Sequence, residues 1–328
     1  MPGAGPGGRP PGRKRERDQR AGGTAGRRGG QLRALVTGAA GFLGRRFVEL
    51  APEGVEIVAI VRPGNTPPPA KEGVEWLECD LAERGFERGL PPQMDAVVHL
   101  AQSSRDRDFP EGTEDVLDLA VGATARLLDY ARLVGASRFV LASTASLYAG
   151  SSAPLTEEAE LDCSGFYAAA KRSAELLVNS YGELLSGLAL RIFTPYGPGQ
   201  RVRLIPDLVR RVREGEPVKL EGDRGLLLSP IYVDDLALVA HGLLGGGVGD
   251  PGFELVNVAG EQALGIREIA EEIGRALGTE PVFDPTGEGE PKGLIADCSK
   301  LRRLLPDFQP TPFERGVRNV IGAGSGSG

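Results

Sequence analysis

Short apolar runs that alternate with amphipathic stretches constrain the fold of this 328-residue chain more than any other feature. The clearest run is Val55–Val61, which is β-branched and continuous, as expected of a strand buried on both faces of a sheet. The same criteria predict strands over Leu32–Thr37, Val74–Glu78, Ala96–Leu100, Arg138–Ser143 and Leu188–Ile192, and helices over Phe42–Leu50, Glu114–Val134 and Tyr167–Leu185. This alternation predicts an α/β fold with a doubly wound parallel sheet, whose ligands bind at the carboxyl ends of the strands.

Three glycines follow the first predicted strand directly and open the first predicted helix. They are Gly38, Gly41 and Gly44, with the spacing G-x-x-G-x-x-G. Glycines allow a tight turn and a close backbone approach to a pyrophosphate, which the N–H groups at the helix N-terminus can then bind. Because the motif joins a strand to a helix, it predicts a dinucleotide site.

The end of the second strand distinguishes the two nicotinamide dinucleotides. An acid there bonds the ribose hydroxyls of NAD, whereas an arginine accommodates the 2′-phosphate of NADP. Arg62 stands at this point, so NADP(H) is favoured and NAD remains possible. Asp80 ends the next strand, where its carboxylate either accepts from the adenine amine or caps a helix.

Tyr167 and Lys171 stand four residues apart, on one face of a predicted helix. The reference pKa of a phenol is about 10. A nearby ammonium favours the phenolate and lowers that pKa toward neutrality, where general acid–base catalysis is efficient. The pair follows Ser143-Thr144 at a strand end, so we predict a proton-transfer site at the carboxyl edge of the sheet.

Composition divides the chain into segments. Residues 1–30 are mostly Gly, Arg and Pro, so we expect a disordered tail. Residues 31–195 are the predicted dinucleotide-binding domain. Residues 196–320 have a more mixed pattern and form the predicted smaller substrate lobe, with part of 229–245 returning to the first domain. Residues 321–328 are rich in Gly and Ser and are expected to be flexible.

Charge and cysteine content limit the binding partners and the location that we expect for the protein. The chain carries −7, and residues 1–30 contain eight basic and two acidic residues, or +6, which leaves −13 for the rest. An acidic body argues against nucleic-acid binding. No run reaches the roughly 20 apolar residues of a membrane span, so no membrane partner is expected. Three scattered cysteines suggest a reducing, cytoplasmic location, and with two histidines no metal site is predicted.

Six ordered motifs together resemble the extended short-chain dehydrogenase/reductase family, also called the NAD-dependent epimerase/dehydratase family. They are Gly38–Gly44, His99–Ala101, Ser143–Tyr148, Tyr167–Lys171, Arg191–Gln200 and Ile231–Asp235. The resemblance covers about residues 31–320. It implies a Rossmann sheet with a smaller mixed C-terminal substrate lobe, a small-molecule substrate and a homodimer.

The resemblance also implies a role for each matching residue. Thr144 would bond the substrate oxygen, Tyr167 would carry its proton, and Lys171 would lower the phenol pKa and hold the nicotinamide ribose. The cofactor would be contacted by Gly38, Gly41, Phe42, Leu43, Gly44, Arg62, Asp80, Leu81, Leu100 and Ala101, together with Tyr167 and Lys171. The candidate substrate contacts are Ser103, Ser143, Thr194, Arg201 and Leu228.

Departures from the family pattern narrow the reaction. The 4,6-dehydratases of the family follow the catalytic Thr with Asp-Glu, whereas Ala-Ser follows Thr144, so a dehydratase is rejected. Members acting on nucleotide sugars usually carry Asn where Thr194 stands, and a diphosphate-binding Arg where Leu228 stands. Either Arg201 and Arg203 take over that contact, or the substrate lacks a diphosphate.

Three functions follow. The favoured one is an NADPH-dependent ketoreductase acting on a keto-sugar nucleotide or a similar small molecule, because Arg62 suggests an exchangeable NADPH. The alternative is a nucleotide-sugar 4-epimerase with tightly bound NAD. An alternative of another class is a non-catalytic dinucleotide-binding scaffold or sensor, which has no need for Thr144, Tyr167 and Lys171 together.

Overall fold

The structure is a computed structural model that describes residues 32–246, 250–287, 289 and 292–324. Its strands are β1 (Leu32–Thr37), β2 (Val55–Val61), β3 (Val74–Glu78), β4 (Ala96–His99), β5 (Arg138–Thr144), β6 (Ser186–Ile192), β7 (Pro195–Tyr196), β8 (Val218–Leu220), β9 (Ile231–Tyr232), β10 (Gly252–Val258) and β11 (Phe283–Pro285). Its helices are α1 (Phe42–Glu49), α2 (Thr113–Leu117), α3 (Thr124–Val134), α4 (Phe166–Ser180), α5 (Leu204–Glu214), α6 (Val233–Gly245), α7 (Ile266–Leu277), α8 (Ser299–Leu304) and α9 (Phe313–Gly324).

Seven of these strands form one parallel sheet in the order β10-β6-β5-β4-β1-β2-β3. The order reverses between β1 and β4, which is the switch point where ligands bind in doubly wound sheets. Thr37 at the end of β1 pairs with His99 at the end of β4, so both residues lie at the same edge. The predicted doubly wound parallel sheet is confirmed.

Apolar side chains cover both faces of the sheet. One face packs Phe47 and Leu236 against the strands, and the other packs Leu127 and Val178. These residues come from helices on opposite sides, which explains why the central strands are continuous apolar runs. A third apolar core gathers residues of α5, α7 and α9 away from the sheet.

The helix predicted over 114–134 is interrupted. Residues 118–123 form a π-helical segment between α2 and α3. The carbonyl oxygen of Leu119 lies 3.3 Å from His99 Nε2, and the hydroxyl of Thr124 donates to the carbonyl of Ala120 at 2.7 Å. Both contacts take carbonyl groups that a regular helix uses internally, and such segments are frequent at functional sites.

Further differences from the predicted elements concern the end of α4 and strand β10. Helix α4 ends at Ser180 rather than at 185, because the chain turns at Tyr181 and Gly182. Strand β10 was not predicted, since Glu254 and Asn257 interrupt its apolar pattern. As an edge strand it pairs with β6 alone.

The described residues form one compact unit. The domain boundary at residue 195 stays a prediction, although β10 brings a segment of 196–320 other than 229–245 into the sheet. Residues 1–30 lie outside the described ranges. Residues 321–324 complete α9, and 325–328 lie outside the described ranges. Within those ranges no helix is both long and apolar enough to span a bilayer, and the cytoplasmic location stays a prediction.

Candidate active site

The glycine turn between β1 and α1 leaves no room for a side chain at Gly38 or at Gly44. Gly38 has φ +70°, and a Cβ there would lie 2.6 Å from the backbone nitrogen of Ala101. A Cβ on Gly44 would lie 2.1 Å from the carbonyl oxygen of Gly38. Both separations are far inside van der Waals contact. The motif is therefore required by packing among β1, α1 and the chain after β4.

The turn leaves backbone N–H groups at the start of α1 available to a ligand. The residue before the helix is Gly41, and no side chain caps the helix N-terminus. N–H groups at such an end bind anions together with the helix dipole. A cradle without side chains beside uncapped N–H groups fits the pyrophosphate of a dinucleotide. Phe42 and Leu43 form the first turn of the same helix.

Thr37 and His99 fix the floor of the cradle. Thr37 Oγ1 lies 2.6 Å from His99 Nδ1 and accepts from the Ala101 N–H at 3.4 Å. The carbonyl of Leu119 can only accept, so His99 carries its proton on Nε2 and accepts from Thr37 on Nδ1. Burial and the charge of Lys171 lower the pKa of His99 to about 3, which keeps the ring neutral.

Arg62 lies at the end of β2 with more than half of its side chain exposed. Its guanidinium nitrogens stand 3.6 Å from an oxygen of Asp80 and 3.7 Å from an oxygen of Asp115. The other oxygen of Asp80 accepts from the N–H of Ala82 at 3.0 Å. Asp115 accepts in turn from the hydroxyl of Ser103. Asp115 was not predicted, because it lies on α2, far from the strand ends in sequence.

The predicted catalytic residues converge at the carboxyl edge of the sheet. Tyr167 and Lys171 lie on α4, and Thr144 ends β5. Lys171 is buried and donates to the carbonyl of Ala142 at 2.9 Å. Tyr167 and Lys171 line a small cleft together with Ala101, Gln102, Ser103, Val116 and Ala120.

The pKa of Tyr167 lies above its usual value, which is opposite to the direction predicted from the Tyr-x-x-x-Lys spacing. Burial is the largest cause, the carboxylate of Asp106 is the next, and hydrogen bonding to Thr144 acts in the other direction. Burial also lowers the pKa of Lys171 to about 8, against the opposing charges of Asp106 and Glu175. The local environment therefore favours a neutral phenol.

A buried ion pair lies next to the predicted catalytic residues. Both carboxylate oxygens of Glu175 on α4 accept from Arg191 on β6 at 2.9 Å. Ser143 and Arg172 also donate to Glu175, at 2.7 and 2.9 Å. Arg191 lies 4.8 Å above the ring of Tyr148. The network joins α4 to β5 and β6, so it fixes Tyr167 relative to the strand end.

Sequence reasoning missed two residues that contact the phenol directly or indirectly. The hydroxyl of Tyr167 donates to Gln102 Oε1 at 3.1 Å, and Gln102 Nε2 donates to Asp106 at 3.2 Å. Arg203 forms an ion pair with Asp106 at 3.1 Å. The polar segment that follows β4 at the carboxyl edge could have indicated these residues, because strand ends meet there.

The candidate substrate residues lie in different surroundings. The hydroxyl of Ser103 faces Asp115, and that of Ser143 is buried against Glu175. Thr194 has φ +29°, a conformation that glycine and asparagine favour. Leu228 is buried in the lobe core and bridges Leu264 and Leu294 through its backbone. Arg201 is exposed before α5.

Two residues predicted to contact the cofactor, Leu81 and Leu100, are buried in the apolar cores on the two faces of the sheet.

The parallel sheet, the glycine turn and the Tyr-x-x-x-Lys helix together define a class of enzymes, the extended short-chain dehydrogenases/reductases, which depend on NAD or NADP. Residues 34–259 match the model of the NAD dependent epimerase/dehydratase family. The chain therefore belongs to this family, which confirms the resemblance seen in six motifs. In the described part of the chain, no group of three or more His, Cys, Asp or Glu side chains is arranged to hold a metal ion.

Similar proteins act on sugars attached to nucleotides. A UDP-glucuronate 4-epimerase of Thermodesulfobacterium geofontis is 28% identical over 312 residues, which cover 88% of this chain and 94% of the relative. A dTDP-4-dehydro-6-deoxy-D-allose reductase of Streptomyces bikiniensis is 29% identical over 316 residues, which cover 87% of this chain and 94% of the relative. The solved structure of MoeE5 with UDP-glucuronic acid and NAD superposes with a TM-score of 0.75 at 29% identity. The superposition covers 90% of this chain and 99% of the MoeE5 chain.

Proposed function

We propose that this protein interconverts a hydroxyl and a keto group on the sugar of a nucleotide sugar, with a nicotinamide dinucleotide as the hydride carrier. The observation that carries the proposal is the cleft in which Tyr167 and Lys171 face Ala101, the residue that touches the glycine turn. This arrangement brings a proton carrier next to the cofactor cradle. The relatives named above support the substrate class.

The residues of the cleft divide the chemistry. When bound, the nicotinamide supplies or accepts the hydride. Thr144 orients the reacting oxygen, and Tyr167 passes the proton to or from it. Lys171 holds the ribose, and its ammonium favours the phenolate that forms when Tyr167 gives up its proton. Gln102 must leave the phenol during the reaction, because a phenol has a single proton to donate.

The surroundings of Arg62 supply the argument for ranking the two net reactions. Its exposed guanidinium could reach a 2′-phosphate, which supports NADPH and the ketoreductase. Its position near both Asp80 and Asp115 weighs more, since two carboxylates against one cation leave the site negative. A 2′-phosphate is repelled by such a site. The first candidate is therefore an NAD-dependent 4-epimerase, and the ketoreductase is the second.

Replacement of Tyr167 tests whether the protein is an enzyme. We expect Tyr167→Phe to reduce turnover of UDP-glucuronate or of a dTDP-4-keto sugar by about 10²- to 10⁴-fold, as for loss of a general acid–base. Dinucleotide affinity should change little. Tyr181→Phe, which lies one residue past the end of α4, is the matched control. Full activity of Tyr167→Phe would show that Tyr167 does not carry the proton, whereas a wild type that binds the dinucleotide without any turnover would favour the scaffold hypothesis.

Cofactor identity tests the net reaction. We expect NAD to copurify with the protein and NADP(H) to bind about tenfold more weakly or worse. Asp115→Asn should narrow that difference, because it removes one of the two carboxylates beside Arg62. An empty site with tight NADPH binding that Arg62→Gln weakens would reverse the order of the two candidates.

A homodimer is also proposed. Leu133 on α3 and Leu176 on α4 are large apolar side chains exposed by 67% and 51%. A second subunit packed on these two helices would cover both side chains. Light scattering should give the mass of a dimer, and Leu133→Glu with Leu176→Glu should give a monomer. A monomeric wild type contradicts the proposal.

A further inference from the structure

The ion pair between Asp106 and Arg203 lies between the segment after β4 and the start of α5. One guanidinium nitrogen of Arg203 stands 3.2 and 3.1 Å from the two carboxylate oxygens of Asp106. The Asp106 side chain is 9% exposed, whereas that of Arg203 is 34% exposed. The carboxylate is thus largely enclosed, and part of the guanidinium still faces the solvent.

The pair is connected to the proton carrier by side chains alone. Tyr167 donates to Gln102, and Gln102 donates to the Asp106 oxygen that also contacts Arg203. Asp106 further influences the charge states of Tyr167 and Lys171. A change in the partner of Arg203 therefore reaches the phenol through two hydrogen bonds.

The lobe offers no cation at the position where the family pattern places its diphosphate-binding arginine. Leu228 is 3% exposed and is held by backbone hydrogen bonds with Leu264 in both directions, at 2.9 Å. It belongs to the apolar core around α5 and α7. A charged substrate must find its counter-charge elsewhere, and Arg203 is linked to the phenol by the chain of contacts just described.

We propose that Arg203 binds an oxyanion of the substrate and that Asp106 occupies this place until the substrate arrives. This rests on the proposed function, because it assigns the recognition of a nucleotide sugar. Displacement of Asp106 removes the acceptor of Gln102, which then releases the phenol of Tyr167 for the substrate oxygen. Recognition of the anion is thereby coupled to access to the proton carrier. Arg203 thus contacts the substrate itself, whereas Asp106 acts through Arg203 and Gln102 and is a positioning residue.

Equilibrium binding of UDP and dTDP to the intact protein tests the proposal without turnover. We expect Arg203→Gln to weaken binding about tenfold or more, the effect of losing a charge-assisted hydrogen bond. Asp106→Asn should tighten binding several-fold, because it weakens the competitor. In the Arg203→Gln background, Asp106→Asn should have no further effect, which a double-mutant cycle measures.

The control variants separate recognition from folding. Arg211→Gln lies on the same helix, and its side chain is 32% exposed and paired with Asp207, so it should leave nucleotide binding unchanged. Arg203→Lys keeps the charge and should recover most of the affinity. In turnover, Arg203→Gln should raise KM more than it lowers kcat. NAD affinity should stay as in the wild type for every variant, and thermal unfolding should stay unchanged in Arg211→Gln and Arg203→Lys, which keep the charge opposite Asp106.

Two further ligands identify the source of the oxyanion. If Arg203→Gln weakens UDP, UDP-glucose and UDP-glucuronate alike, Arg203 binds the diphosphate. If it weakens UDP-glucuronate alone, Arg203 binds the sugar carboxylate. Unchanged binding of all ligands overturns the proposal, as does an Asp106→Asn variant that binds as weakly as Arg203→Gln. Absence of wild-type binding also overturns it, whereas absence of turnover with Arg203-dependent binding overturns the proposed function alone.

Discussion

The proposed cofactor side and the proposed substrate side of the cleft are built in different ways. On the cofactor side, Gly38 and Gly44 bring backbone against backbone, and the N-terminus of α1 carries no side-chain cap. On the substrate side, side chains from separate loops meet, as in the contact between Asp106 and Arg203. A backbone cradle suits a chemical group that many ligands share. Loop side chains differ between related proteins, so they suit the recognition of a particular substrate.

Substitution in the glycine turn is expected to have the largest effect. Gly44→Ala places a methyl group 2.1 Å from the carbonyl oxygen of Gly38, so α1 must move away from β1. We expect dinucleotide affinity to fall at least 100-fold, with stability lowered by about 3 kcal/mol as in an overpacked core. Calorimetric titration with NAD and urea unfolding measure both.

A glycine elsewhere provides the control for that result. Gly245→Ala, in the last residue of α6, meets no atom within 4 Å and should leave NAD binding unchanged. Equal NAD affinity in Gly44→Ala and Gly245→Ala would show that the cofactor side is not determined by backbone contact.

Loss of charge at Glu175 tests the buried ion pair next to the predicted catalytic residues. Glu175→Gln leaves the guanidinium of Arg191 buried without its counter-charge, which costs about 3 kcal/mol or more. Arg172→Gln is the control, because its side chain is one-third exposed and such pairs contribute about 1 kcal/mol or less. Urea unfolding at pH 7 should separate the two variants clearly. Similar losses of unfolding free energy in Glu175→Gln and Arg172→Gln would contradict the role of a buried ion-pair network.

Acid should destabilise the protein through His99. Its folded pKa is about 3, below the usual 6.5, so the unfolded state takes up a proton first as the pH falls. Stability from this group is present above pH 6.5, and about 2 kcal/mol is lost between pH 7 and pH 5. His99→Asn should unfold in urea with a smaller loss over that interval. Identical losses in both proteins would show that His99 titrates normally.

The smallest expected effect concerns Thr194 on the substrate side. Its φ of +29° is strained for a β-branched residue, and asparagine tolerates this region better. We expect Thr194→Asn to stabilise the protein by about 1 kcal/mol, measured by urea unfolding. A destabilised variant would mean that contacts of the threonine outweigh the backbone strain.

The sequence was sufficient for features that depend on local order. The strands Leu32–Thr37 and Val55–Val61 were predicted with their observed bounds, because buried parallel strands are continuous apolar runs. The glycine turn was recognisable because its three glycines lie close together in the chain. The direction of the pKa shift of Tyr167 could not be recognised from the sequence, since burial and Asp106 act on the phenol from outside its helix.

The sequence alone indicated the parallel sheet through its alternating strand and helix patterns, and it contained the glycine turn and the spacing of Tyr167 and Lys171. Each of these patterns lies within a short segment of the chain. The tertiary structure decided which charges face the cleft. Arg203 stands 97 residues from Asp106, and Arg62 lies near Asp115 from a different element. Electrostatic pairing depends on distance in space, and chain order does not contain that distance until the sheet has brought the loops together.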